Sequence, residues 1–244
     1  MVMTAQDYAD LMPDATLLDS DEPEMESSSH YMQLLLLVSC LEWLWRDRHD
    51  FFIGANLTIY YSRQQLKNRD FRGPDFFVVN NTHRDPRRSW VVWEEQGRYP
   101  DVIVELLSDS TASIDRTAKK QLYQNHFRTP EYFWYSPDTQ DFEGFRLNGS
   151  LYYPINPTSQ GWRWSESLQL FLGVSEGQLR YFSPQGDRIP TPAEAFEQER
   201  QASQRQQIQF EQERQQTLQQ LEQERQRAER LAEQLRQLGL SPDP

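Results

Sequence analysis

One run constrains this chain more than any other: Tyr99 to Pro137, YPDVIVELLSDSTASIDRTAKKQLYQNHFRTPEYFWYSP. Val102-Ile103-Val104 is apolar and β-branched, the pattern of a buried strand. That strand ends on an acid, Glu105. A hydroxyl-rich turn, Ser108 to Ser113, follows, and the pattern then predicts a helix over Ile114 to His126 with Lys119 and Lys120 in its early turns. An aromatic strand, Tyr132 to Tyr135, closes the unit. A carboxylate is costly to bury unless it is paired, and either a metal ion or an ammonium would serve.

The rest of the chain reads as support for this unit or as an addition to it. A length of 244 residues suits one sizeable domain with extensions. Residues 1–29 form an acidic arm with eight Asp and Glu and no Lys or Arg. Glu24 and Glu26 in this arm are candidates to point into a site. Ser27 to Ser29 offer N-caps for a densely apolar helix from His30 to about Arg48, which should be buried on most of its surface. Residues 30–190 form the core domain. Phe51 to Tyr61 reads as one strand with a bulge near Gly54. Arg63, Lys67, Arg69 and Arg72 make a cationic stretch, either a solvated loop or a phosphate-contacting surface. Asp75 stands at the start of another apolar strand, after Gly73-Pro74. Ser89 to Trp93 is a further strand, ending on Glu94-Glu95, with Glu95 a weak candidate for the site. Asp141 to Leu147 and Leu151 to Ile155 form a hairpin about Asn148-Gly149. Short strands follow at Trp162 to Trp164, Leu168 to Leu172 and Gln178 to Phe182.

Residues 191–244 change character. Gln, Glu and Arg dominate, and neither Gly nor Pro falls between Pro192 and Gly239, so this tail is a helix. A heptad seam shows late, with Leu221, Ala228 and Leu235 at one position and Leu231 and Leu238 at the other. The tail is therefore a weak coiled coil or a solvated single helix.

Composition narrows the function classes. The single cysteine, Cys40, excludes an intramolecular disulfide framework and a Cys-based zinc site, and its apolar neighbours make it a core thiol. No secretory pattern follows Met1, and Leu34 to Trp45 falls short of the ~20 apolar residues a membrane span needs. A cytoplasmic protein with no membrane partner is expected. The net charge of −12 lies mainly in the arm and the tail, which leaves the core near neutrality. A neutral core is compatible with nucleic acid without pointing to it as a basic one would.

Asp75, Glu105 and Lys119 form the chemical constellation, with spacings of thirty and fourteen. Two carboxylates at neighbouring strand ends can share a hard divalent cation through oxygen ligands, and a nearby lysine can orient a water or stabilise phosphate charge. The same spacing also fits a structural ion pair of Glu105 with Lys119 or Arg116. His30, at a helix start, is either a polar end residue or a substrate contact.

Several motifs together resemble the Uma-two family of restriction endonucleases, within the PD-(D/E)xK nuclease-like superfamily. They are Gly73-Pro74-Asp75-Phe76, the run Pro100 to Ala112, Asp115-Arg116-Thr117-Ala118-Lys119 with Tyr123, and Pro130-Glu131-Tyr132. The resemblance covers most of residues 20 to 190. It implies an α/β (α+β) fold, a mixed central sheet flanked by helices, to which the tail is an addition. It also implies a Mg²⁺- or Mn²⁺-dependent endonuclease acting on DNA, with Asp75 and Glu105 as metal ligands and Lys119 as the catalytic lysine. The superfamily lysine usually sits two residues after the second acid, where this chain has Leu107, and the helix lysine takes its place. Arg69, Arg72, His30 and Lys120 are expected to touch substrate, the chain is expected to be a homodimer, and no small-molecule cofactor is expected. The rival reading is a non-catalytic DNA-binding or interaction protein that assembles through its tail.

Overall fold

The computed structural model describes residues 18–20, 27–62, 73–107 and 115–237. The chain divides into two units, Met1–Thr191 and Pro192–Pro244.

In the first unit, helix α1 (Ser28–Leu44) is followed by strands β1 (Phe51–Ala55), β2 (Ile59–Tyr60), β3 (Phe76–Asn80), β4 (Trp90–Val91) and β5 (Val102–Leu106). Helix α2 covers Asp115 to Phe127. Strands β6 (Glu131–Tyr135), β7 (Phe142–Asn148), β8 (Leu151–Pro154), β9 (Arg163–Ser165), β10 (Leu170–Ser175) and β11 (Gln178–Phe182) complete the unit. Among the described residues six strands form a mixed sheet in the order β1-β3-β5-β6-β7-β8. β5 and β6 are parallel, and their other neighbours run antiparallel. A parallel pair cannot be joined by a tight turn, and α2 lies in the connection from β5 to β6. A smaller sheet, β11-β10-β9, and the parallel pair β2-β4 lie beside it.

Alternation along each strand sorts the side chains onto two faces. Phe76, Val78, Val102, Val104 and Phe133 join a core with Leu34, Leu37 and Leu41 of α1 and Leu172 and Tyr181 of the smaller sheet. Phe77, Val79, Ile103 and Tyr132 face the other way, into a core with Tyr123 and Phe127 of α2. β5 is therefore buried on both faces, which is why it reads as a continuous apolar run. The one acid in that run, Glu105, shares its parity with Ile103 and faces α2.

Local chemistry explains the element ends. Ser27 caps α1, its hydroxyl accepting the His30 amide at 3.2 Å. α1 ends at Leu44, before Arg48, and it buries one face only: Tyr31, Met32 and Leu35 are exposed. A helix laid on a single layer has one side to bury, however apolar its whole circumference. Gln33 is buried in α1, and its amide both donates to and accepts from the Leu179 backbone, at 2.9 and 3.0 Å. Cys40 is a free, buried thiol.

The stretch Phe51 to Tyr61 is not one strand. Asn56 adopts the left-handed region, with φ of 46°, and the chain leaves the large sheet there to pair β2 with β4. Gly54 makes no bulge. It pairs in regular register with Phe77, whose ring occupies the space a Cβ would fill. β4 covers only part of Ser89 to Trp93. The hairpin turn falls one residue later than expected, on Gly149-Ser150 between Asn148 and Leu151.

The second unit is helix α3 (Pro192–Gln237), 46 residues with none buried. Among the described residues no helix is long and apolar enough to cross a membrane.

Candidate active site

β3 and β5 pair antiparallel, with Phe76 opposite Val104 and Phe77 opposite Ile103. One further step in that register places Asp75 opposite Glu105, at one end of the sheet. Glu105 shares the parity of Ile103 and lies on the face that α2 covers, while Asp75, just before β3, meets His30 at the start of α1. The two acids, thirty residues apart in sequence, are brought together by the strand pairing.

Glu105 is fully buried. Lys119 Nζ sits 2.9 Å from its Oε2, and the Tyr123 hydroxyl donates to its Oε1 at 2.6 Å. Lys119 and Tyr123 are four residues apart, hence neighbours on one helical face. The helix that presents them is irregular: a π-helical turn over Asp115–Lys119, one α turn over Lys120–Leu122, and a second π turn over Tyr123–Phe127. π turns inside helices concentrate at functional sites, and here they supply the two donors to one carboxylate.

Asp75 accepts the Leu106 amide at 2.7 Å, and His30 Nε2 lies 3.4 Å from its other oxygen. Burial pushes its carboxyl up, but the His30 hydrogen bond, the Lys119 charge and the Leu106 amide outweigh that and hold it below the usual carboxylate range. Asp75 is therefore ionised at neutral pH.

Lys120 points elsewhere. Its ammonium stacks 3.2 Å from the centre of the Phe145 ring. Burial lowers its pKa, against the opposing charge of Glu143. Leu107 is buried and donates its amide to Tyr135 at 2.7 Å, so the ammonium reaches Glu105 from α2 and not from the end of β5. Glu95 pairs with Arg87, away from this constellation. Arg69, Arg72, Arg63, Lys67, Glu24 and Glu26 lie outside the described residues. A groove of about 740 Å³, lined in part by Asp47, His49, His83 and Arg98, opens at the opposite end of β3. It has no carboxylate pair backed by a lysine, and the chemistry points to the Asp75 end.

Two participants went unassigned in the sequence. Tyr123 stood in a motif without a role, and its offset of four from Lys119 was the available signal. The Leu106 amide gave none, since a backbone donor leaves no trace in side-chain identity.

The donor set fits a hard divalent ion. It is two oxygen-bearing carboxylates on adjacent strands, and the Lys119 ammonium already holds a positive charge against one of them. Among the described residues no three His, Cys, Asp or Glu converge. An ion held by two carboxylates would complete its shell with waters and substrate phosphate, a mode that suits Mg²⁺ and not structural zinc.

The fold is mixed α/β, a central mixed sheet flanked by helices, with Asp75, Glu105 and Lys119 at one end. The chain belongs to the Uma-two family, described as "Putative restriction endonuclease", whose model matches residues 20–180. A crystal structure of a "putative nuclease" from Anabaena variabilis is similar at 14% identity and a TM-score of 0.44, over 68% of this chain and 91% of that one. No curated protein matches the chain.

Proposed function

We propose that this chain is a divalent-metal-dependent endonuclease that hydrolyses phosphodiester bonds in DNA and acts as a homodimer. The observation that carries this reading is the cross-strand placement of Asp75 and Glu105 with Lys119 seated on Glu105. Asp75 and Glu105 would hold Mg²⁺ or Mn²⁺. When bound, the ion supplies Lewis-acid polarisation of a phosphoryl oxygen and a lowered pKa for water. Lys119 orients the attacking water and offsets charge on the phosphate. Tyr123 fixes the Glu105 carboxylate, and His30 with the Leu106 amide fixes Asp75. A homodimer supplies one site for each strand of a duplex.

Lys119→Ala is expected to lower cleavage by about 10²-fold. Lys120→Ala should leave it nearly unchanged, because its ammonium lies over Phe145. Equal losses in plasmid cleavage by the two variants would contradict the assignment. Tyr123→Phe keeps the ring and removes the hydroxyl. It should raise the Mg²⁺ concentration for half-maximal cleavage about tenfold, the scale of lost support to a metal ligand. A Tyr123 that only packs would leave that metal dependence where it was.

The rival reading has its own observation. The Lys119–Glu105 pair already compensates the buried carboxylate, as a non-catalytic DNA-binding or interaction protein would require. Supercoiled plasmid, single-stranded DNA and RNA incubated with the protein and Mg²⁺ separate the readings. Cleavage of DNA supports the nuclease; binding without cleavage supports the rival.

A further inference from the structure

Helix α3 carries a longer seam than its late leucines suggest. With Leu221, Ala228 and Leu235 at heptad position a, position d holds Phe210, Thr217, Glu224 and Leu231. Phe210, Leu221 and Leu231 are 70%, 62% and 51% exposed. The first half of the helix thus carries its apolar seam residue at d, and the second half carries most of its own at a. The charges divide the same way. Glu211 and Glu213 flank the seam in the first half, Arg225 and Arg227 in the second. Arg214 stands at a and Glu224 at d.

We infer that α3 pairs with α3 of a second copy of this chain, antiparallel, about a two-fold axis at Gln219. A parallel pair would set Arg214 against the partner's Arg214 and Glu224 against the partner's Glu224, inside the seam. An antiparallel pair sets a against d. One register then places Arg214 against the partner's Glu224 and Ala228 against the partner's Phe210, the small residue facing the large one. The same register lays Glu213 beside the partner's Arg227 and Glu211 beside the partner's Arg225. Charge complementarity at flanking positions is what sets orientation in paired helices. Within one chain Arg214 bonds Glu211 at 3.1 Å and Arg225 bonds Glu229 at 3.1 Å. These are exposed pairs of small worth that can exchange for the pairs between copies. In this register the two helices begin about 80 Å apart, at ~1.5 Å per residue.

This assembly rests on the dimer proposed above and not on the chemistry of the site. The test uses the full chain with Phe210→Cys and Ala228→Cys as separate variants, since the native Cys40 is buried. Wild-type protein in a light-scattering concentration series should move from monomer to dimer. Under mild oxidation each variant alone should stay unlinked, because equivalent Ala228 positions would lie ~27 Å apart by helix rise, far beyond disulfide reach. The mixed variants should form an interchain disulfide. A disulfide in either variant alone would establish a parallel pair and overturn the inference while leaving the dimer standing. A dimer with no link in the mixture would overturn the register. A monomer at every concentration would overturn both the inference and the dimer, and would leave the site untouched.

Discussion

Glu105→Gln is expected to abolish metal-dependent cleavage, by at least about 10³-fold, while the chain remains folded. Gln is nearly isosteric, and its amide oxygen can still accept from Tyr123 or Lys119. What it removes is the negative charge that a divalent ion requires. Glu105→Ala is a poorer test. It would remove the carboxylate that accepts from the Lys119 ammonium and the Tyr123 hydroxyl in a buried place, at a cost of about 3 kcal/mol. Circular dichroism and thermal melting of the Gln variant check the fold. Wild-type cleavage by a folded Glu105→Gln protein would remove the acid from the site.

Glu131→Ala is expected to be among the most destabilising single changes in the first unit, by about 3–5 kcal/mol. Glu131 is 1% exposed and lies at the start of β6. Its carboxylate accepts the Ser165 hydroxyl at 2.5 Å and the amides of Glu166 and Ser167 at 2.9 and 3.1 Å. Arg146 on β7 pairs with it at 3.0 Å. One side chain therefore joins two strands of the large sheet to the end of β9 in the smaller one. Removing it leaves buried donors unmet, the costly half of the hydrogen-bond asymmetry. Urea unfolding measures the loss, and a change under about 1 kcal/mol would show that the smaller sheet is held by apolar contacts alone.

The parts of this molecule legible in the sequence are those decided locally. Val102-Ile103-Val104 reads as a buried strand because both of its faces are covered, and Glu105 stands out because it interrupts that run. Asp75 declares itself through the proline before it and the apolar strand after it. Elements set by distant partners were less legible. Phe51 to Tyr61 is apolar apart from Asn56 and Thr58, and the only local sign of the point where the chain changes sheets is Asn56, a residue type that tolerates the left-handed region. α1 is apolar on every side, so its pattern could not say which face would be buried. His30 meets Asp75 across 45 residues of sequence, and Glu131 finds Ser165 across 34. Such contacts depend on how the sheets stack, which no local period encodes. The irregular winding of α2 was equally silent, although an offset of four aligned Lys119 with Tyr123.

The proposed cleavage of DNA depends on a divalent ion held at Asp75 and Glu105. Its most direct test is cleavage of supercoiled plasmid by the purified full chain in Mg²⁺, in Mg²⁺ with excess chelator, and with Asp75→Asn in place of the wild type. Nicked or linear product is expected in the first reaction and intact plasmid in the other two. Cleavage that persists with chelator, or that is undiminished in Asp75→Asn, would contradict it, as would plasmid left intact by the wild-type protein in both Mg²⁺ and Mn²⁺.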